Sequence, residues 1–401
     1  MREDPKIEGL NIGLVVGDIP PPQFIDHLIL SLAHSKHRIV VFGRVRKKAV
    51  YPKNVEVFNY QTSSFLDKVT LSLKIASTKI CYRRRWNLVR KVLLEKNAFP
   101  TRMHLGLIAG FVRKKLDLVH YQWVNIEKYL VDVNHALQTP VVLSLRGYQI
   151  NVLPTINSDI AKHYRHLLPE MDGFHAVSNA IKKPAIFFGA EEKKISVIYS
   201  GVHSDEQIKN IGTRKSKCHI LSIGRNHWKK GYSVALDAVN LLKEQGYNFH
   251  YEIVVGDSPE ELLYQIHDLK LQDEVTLTGR IPHGEVMQRM KEADIFLLPS
   301  YEEGIANVVL EAMASGLPVV STNCGGMEEV IEEGITGWLV EIGNSESIAA
   351  GLLRYLNATS DEVENIIRNA HKKVREQHSM DHLAKEMTAL YRKTLDETES
   401  I

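Results

Sequence analysis

A chain of 401 residues, 44 % hydrophobic and 24 % charged, has the make-up of a folded protein with room for two or three separate cores. Its net charge of +2 hides an asymmetry: residues 1–200 hold 30 Lys and Arg against 16 Asp and Glu, and residues 201–401 hold 20 against 32. Cys81, Cys218 and Cys324 show no C-x-x-C spacing, which excludes a zinc ribbon or a disulfide framework, and no apolar run approaches the eighteen residues of a membrane span. The first ten residues lack the apolar core of a signal peptide, so a reducing, cytoplasmic compartment is expected. Asn357-Ala358-Thr359 fits the glycosylation pattern but would be idle there.

In chain order, 10–16 reads as a buried first strand running into Gly17-Asp18-Ile19 and three prolines. This is the phosphate-side loop position of a Rossmann unit, but without G-x-G-x-x-G it is no dinucleotide fingerprint. A helix over 24–35 and a second strand over 38–43 follow.

Two helical segments between 68 and 96 then carry nine Lys and Arg, among them Arg83, Arg84 and Arg85. Leu71, Leu73, Ile75, Trp86, Val89 and Leu93 lie between these cations. A basic amphipathic pattern with Trp at its boundary suits an anionic membrane surface. A solvated helix face and a nucleic-acid patch are the other readings. The last is disfavoured because no nucleic-acid-binding module is present, and no nucleic-acid partner is expected.

Strands are expected over 116–121, ending at His120 and Gln122, and over 140–145, ending at Arg146. Arg146 offers a planar fork for a phosphate or carboxylate. A strand over 172–178 and a short one from 195 lead to Ser200-Gly201-Val202-His203.

The second half repeats the alternation of strand and helix. A strand over 219–223 runs into Gly224-Arg225, and Lys230 comes just before a helix that begins near Gly231. The turn brings both cations to one strand end, where they can clamp a diphosphate without a P-loop. Strands are expected over 251–255, turning at Gly256-Asp257, and over 275–278, followed by Gly279-Arg280-Ile281-Pro282. A helix over 283–291 leads into a strand over 295–298, a helix over 305–315 stopped by Gly316, and a strand over 317–321. Glu303 lies in the turn of that strand–helix–strand unit, and Glu311 is two helical turns further. The amides of Gly304, Ile305 and Ala306 would open the helix and offer unpaired donors at its positive end. Glu311 would share a face with Asn307 and Val308. A ligand across this turn meets donors for phosphate and two carboxylates for hydroxyls. Helices over 345–356, 361–378 and about 381–395 complete the chain.

The string E-G-I-A-N-V-V-L-E-A-M-A-S-G-L-P-V-V-S-T, with G-G and E-E-V-I after it, resembles the E-x₇-E signature of retaining GT-B glycosyltransferases, specifically glycosyltransferase family 4. The resemblance covers most of the second half. It implies an α/β fold of two Rossmann-like domains facing across a central cleft. Residues 1–200 would form the acceptor-binding domain and 201–380 the donor-binding domain, with a helix at about 381–401 packing back on the first. It carries contact with the donor sugar to Glu303 and contact with the nucleotide ribose to Glu311. Gly224-Arg225 to Lys230-Gly231 matches the family's G-R-x₄-K-G, whose Arg and Lys neutralise the donor pyrophosphate. Arg280 and Ile281 fall where the family borders the base.

In the first half the resemblance is thinner. His120 fits the first position of H-x-H and joins Glu303, Arg225 and Lys230 as a catalytic candidate. Gln122 replaces the second His, and Arg146 stands where a later one would be. Gly17 and Arg146 join Glu311, Gly304, Ile305, Ala306, Asn307, Arg280 and Ile281 as donor-binding candidates. Ser200 and His203 depart from the usual N-G-V-D.

The function implied is transfer of a sugar, with retention, from a nucleotide diphospho-sugar to a glycan or lipid-linked acceptor in cell-envelope polysaccharide or glycolipid synthesis. A UDP-sugar is the favoured donor, and no metal or other cofactor is expected. The enzyme would be cytoplasmic, and peripheral on the inner face of the membrane if the basic run docks there. The alternative from another class is a catalytically silent, nucleotide-sugar-binding scaffold. Intact Glu303, Glu311, Arg225 and Lys230 argue against it. An epimerase or phosphorylase of the same fold is disfavoured for want of acids on the opposite wall or a lysine poised for pyridoxal phosphate.

Overall fold

The computed structural model describes residues 9–60, 65–203, 217–256 and 259–399, so Asp257 of the expected turn lies outside the described residues. The chain divides into two compact units, one of residues 1–177, 181–198 and 380–401, the other of 178–180 and 199–379.

The first unit holds β1 (Asn11–Ile19), β2 (Arg38–Val45), β3 (Val55–Asn59), β4 (Leu118–Tyr121), β5 (Val141–Leu145), β6 (Gly173–Ala176) and β7 (Ile195–Val197). They form a parallel sheet in the order β3-β2-β1-β4-β5-β6-β7. β4 and β5 read LVHY and VVLSL and are buried along their whole length, as strands covered on both faces must be. β3 was not expected: VEVFN is a short edge run, and its Val57 is exposed. The helix Gln23–His34 and the C-terminal helix Met380–Glu399 pack on one another, and Leu383, Met387, Leu390 and Tyr391 join the core of Ile12, Leu14, Ile25 and Leu28.

The second unit holds β8 (Cys218–Ile223), β9 (Phe249–Val254), β10 (Val275–Thr278), β11 (Ile295–Leu298), β12 (Val319–Thr322) and β13 (Trp338–Val340), parallel, in the order β10-β9-β8-β11-β12-β13. Residues 178–180 belong here because the Glu329 carboxylate accepts from the amides of Asn179 and Ala180.

In both sheets the chain starts in the middle, winds to one edge, and returns to wind the other way. That is Rossmann order, and its switch points fall between β1 and β4 and between β8 and β11. The α/β class and the two Rossmann-like units are those expected. Among the described residues no helix is long and apolar enough to cross a membrane.

The two basic segments are the helices Phe65–Cys81 and Arg83–Glu95. Trp86, expected at a boundary, is instead buried with Val89, Leu71 and Ile75, and Lys79 Nζ lies 5.3 Å from the centre of its ring. Arg85 is half-buried and donates to the Lys114 carbonyl at 3.0 Å. The exposed apolar side chains of this region include Leu73, Ile80, Leu88, Leu94 and Phe99.

Candidate active site

Two strand ends meet at the switch point of the second sheet. After β8 the chain passes Gly224 and the exposed Arg225, makes a short 3₁₀ turn at Trp228–Lys230, and enters the helix Tyr232–Glu244 through Gly231. After β11 it runs through Pro299 and Ser300 to Glu303. The two segments are stitched together by the Tyr301 amide, which donates to the Lys229 carbonyl at 2.7 Å. Gly231 has φ +65°, and a Cβ there would stand 2.0 Å from the Pro299 carbonyl oxygen, so only glycine permits this approach.

Glu303 is buried among cations. Its Oε1 accepts from Lys230 Nζ at 2.6 Å and from Ser300 Oγ at 3.1 Å, and its Oε2 lies 3.6 Å from Lys229 Nζ. Burial pushes the carboxyl up, but Lys230, Lys229 and the Ser300 hydrogen bond outweigh it and hold the group below its ordinary value. Lys229 is itself buried and also donates to the Glu302 carbonyl at 3.3 Å. Its part in the cluster was missed in the sequence, where it reads as one more solvated lysine.

The loop that carries Glu303 is braced from below. Gly325, φ +57°, presses its backbone on Glu303, where a Cβ would come 1.7 Å from the carbonyl oxygen. The Gly326 amide donates to the Gly304 carbonyl at 3.0 Å. The paired glycines after β12 are therefore packing devices that fix the acid's backbone.

The helix that follows is Asn307–Ala314, with Ala306 as its N-cap, and so begins two residues later than expected. Gly304 and Ile305 belong to the loop rather than to the first turn. Asn307, Val308 and Glu311 share a half-buried face, as the spacing requires. Glu311 Oε1 lies 3.3 Å from His283 Nε2, at the start of the helix His283–Glu292. Burial raises the Glu311 carboxyl, and the imidazole partly counters it. Arg280 is exposed and Ile281 half-buried in the segment between β10 and that helix. The second unit thus brings Arg225, Lys230 and Glu303 to one switch point, with Glu311 one helix away.

The first-unit candidates lie elsewhere. His120, the catalytic candidate of the first unit, is fully buried in β4, and both ring nitrogens are engaged. Its Nδ1 lies 2.7 Å from the Tyr391 hydroxyl and its Nε2 2.9 Å from Ser144 Oγ. Ser144 Oγ in turn sits 2.9 Å from His175 Nδ1, and His175 Nε2 donates to the Ile198 carbonyl at 2.9 Å. With both ring nitrogens engaged inside the first unit, His120 links three strands and the C-terminal helix. Gly17 has φ +87° and lies beside the Trp123 ring. Arg146 is half-buried, bonded to Gln122 at 2.8 Å and stacked on Phe24.

This network has a consequence for acid stability. Burial drives the His120 imidazole well below its ordinary range, and burial with the nearby Arg146 charge takes His175 down to about 3. Both stay neutral in the folded chain, whereas the unfolded chain protonates them near pH 6.5. The unfolded state therefore binds more protons below that pH, and stability falls as pH drops. Each imidazole contributes about 1.4 kcal/mol per pH unit. Urea unfolding at pH 7, 6 and 5 should show this slope, and His175→Gln should reduce it by about one imidazole's share. An unchanged slope would show that His175 takes up its proton in the fold.

A family model described as glycosyl transferases group 1 matches residues 203–373, the segment that holds β8 to β13. The amylovoran biosynthesis glycosyltransferase AmsK of Erwinia amylovora is 36 % identical over 214 residues, which are 51 % of this chain. The chain spans about half the length of that relative (53 %). The putative colanic acid biosynthesis glycosyltransferase WcaL of Escherichia coli is 33 % identical over 293 residues, covering 71 % of this chain and 72 % of WcaL. Among solved structures, Anabaena HepE in complex with UDP-glucose superposes with a TM-score of 0.67 over 98 % of this chain and all of HepE, at 18 % identity. That likeness is one of fold, the GT-B class expected. With the identity to WcaL spread over most of both chains, the protein belongs to the glycosyl transferases group 1 family.

Proposed function

We propose that the chain is a retaining glycosyltransferase of the family-4 type, moving a sugar from a nucleotide diphospho-sugar to a glycan or lipid-linked acceptor in cell-envelope polysaccharide synthesis. The observation that carries this reading is the pairing of Lys230 with Glu303 at the carboxyl ends of β8 and β11, with Arg225 two residues beyond β8. Such a crevice is where open α/β sheets bind ligands, and these side chains suit a diphosphate bound beside a sugar. The E-x₇-E spacing of Glu303 and Glu311 supports retention. UDP-glucose in HepE supports a uridine donor, and the names of AmsK and WcaL support an envelope polysaccharide.

In this mechanism Arg225, Lys230 and the amides that open the helix Asn307–Ala314 stabilise the departing diphosphate. Glu303, held ionised by its lysines, accepts from donor-sugar hydroxyls and fixes the anomeric carbon over the acceptor. Glu311 accepts from the ribose hydroxyls, and the Arg280–Ile281 segment borders the base. The leaving phosphate takes the acceptor proton on the same face, so no protein base is needed. Lysine and arginine supply the positive charge, and the reaction runs without a metal. The reaction itself is the test: an α-linked donor should give an α-linked product by NMR of the anomeric proton, at a rate that EDTA leaves nearly unchanged. A β-linked product would overturn the roles of Glu303 and Glu311, and a strict magnesium requirement would discredit the cationic clamp. UDP binding without turnover on any acceptor would favour a silent scaffold.

The same reading places the enzyme at the inner face of an anionic membrane. Leu73, Ile80, Leu94 and Phe99 are exposed on and beside the two basic helices, among exposed Lys68, Lys79, Arg83, Arg84, Arg90 and Lys91. Apolar side chains among cations suit insertion below lipid phosphates. Arg83→Glu with Arg84→Glu, sparing the structural Arg85, should weaken binding to phosphatidylserine vesicles by about 1 kcal/mol for each charge involved. Transfer to a short water-soluble acceptor should persist. Wild type that ignores such vesicles at low salt would reduce the basic run to a solvated face.

A further inference from the structure

Arg146 and Gln122 each stand one residue beyond a strand, β5 and β4, at neighbouring carboxyl ends of the first sheet. A line of ring contacts joins them to the carboxyl end of β1. Gly17 lies against Trp123, Trp123 meets Phe24 edge-on at 6.1 Å, and Phe24 carries the Arg146 guanidinium 4.4 Å from its ring centre. These residues gather at the switch point between β1 and β4, where a ligand is expected in an open α/β sheet.

The cation there is half-buried, and its buried edge lacks the partners such donors normally have. Arg146 donates from Nη2 to Gln122 Oε1 at 2.8 Å, but its Nε–H has no partner among the described residues. Burial alone takes the guanidinium down to about 9, with no carboxylate to counter it. Gln122 is fully buried, and its Nε2 also lacks a partner among the described residues. A desolvated charge beside orphaned donors is costly unless something answers it. Every unanswered group here is a donor, and the fork geometry of a guanidinium matches two oxygens of one anion. A merely structural arginine would be expected to spend these donors on carbonyls or an acid, as Arg85 does on Lys114.

We propose that Arg146 and Gln122 form an oxyanion subsite on the first unit that takes a phosphate or carboxylate of the acceptor. Naming the acceptor rests on the transferase reading above; the anion site itself rests on the first unit alone. The acceptor is then an anionic molecule, either a phosphorylated carrier or a glycan bearing an acidic sugar.

The full-length chain saturated with UDP, which occupies the second unit's cations, is titrated by calorimetry with methyl phosphate and separately with glucuronate. At least one should bind, and which one distinguishes the phosphate source from the carboxylate source. Arg146→Gln should weaken that binding at least tenfold and leave UDP affinity within about twofold. Gln122→Glu sets a carboxylate beside the guanidinium. It should block the same anion while raising Tm, and it carries the test if Arg146→Gln does not fold. Neither anion binding to wild type, or both variants binding as wild type does, would overturn the subsite. A loss of UDP affinity in Arg146→Gln would overturn it too, by making Arg146 a donor group. If wild type fails to bind UDP, the donor assignment falls alone, and the same anion titrations without UDP still decide this site.

Discussion

Glu303→Gln should bind UDP more tightly than wild type does and slow sugar transfer by roughly 100-fold or more, the scale of losing a group that orients the reacting centre. The carboxylate is shared among Lys230, Lys229 and Ser300 in the structure, so the substitution keeps its shape and a hydrogen bond but removes the charge that both lysines face. Leaving buried cations without their acid costs about 3 kcal/mol or more of stability when nothing answers them, and a bound diphosphate would answer them. UDP should therefore stabilise the variant against heat more than it stabilises wild type. Lys230→Ala is the counterpart: it removes the 2.6 Å partner of Glu303 together with a pyrophosphate ligand, and should cost about 1.5–3 kcal/mol of UDP affinity. Glu311→Ala should cost a similar amount through the ribose. Calorimetry that finds UDP affinity unchanged in both Lys230→Ala and Glu311→Ala would remove the donor site from this switch point.

Gly325→Ala is expected to damage the same site without touching any group that contacts a ligand. Its φ of +57° costs an alanine about 1–2 kcal/mol, and its Cβ would stand 1.7 Å from the Glu303 carbonyl oxygen, a contact no rotamer relieves. Overpacking of this kind adds about 1–3 kcal/mol. The backbone of Glu303 must move, and a displacement near 1 Å is enough for a loss of about 100-fold in turnover. Denaturant unfolding and transfer rates measured together separate the two effects. A variant with wild-type rate and stability would show that the loop tolerates displacement and that the paired glycines do not fix the acid.

The C-terminal half shows how far local signals reach. Apolar runs such as IFLL and the turn residues after them point to buried parallel strands, because a strand covered on both faces has no polar alternation to preserve. The seven-residue interval between Glu303 and Glu311 holds its meaning for the same reason: a turn followed by a helix is a local structure. Arg225 and Lys230 reach one strand end by chain geometry alone. The helix start was displaced by two residues, since Ala306 takes an extended conformation as the cap that no residue type in the segment announces.

What the chain alone left open depends on contacts distant in sequence. His120 sits at a strand end, where a ligand role is a fair expectation, but alternate residues of a strand point to opposite faces. Which face is open is decided by what covers it. The helix Met380–Glu399 brings Tyr391 onto that imidazole across 271 residues of chain. Trp86 was drawn inward in the same way, by a core whose other members are scattered along the first unit. Lys229 and Lys230 are adjacent and chemically alike in the sequence; only the approach of the segment after β11, through Gly231 and Pro299, buries one and sets the other on Glu303. Sequence by itself determined the order of the strands and the chemistry available at their ends, because both are carried by short segments. Tertiary structure alone decided which of those groups are buried, paired or left facing solvent, since burial belongs to surfaces assembled from remote parts of the chain.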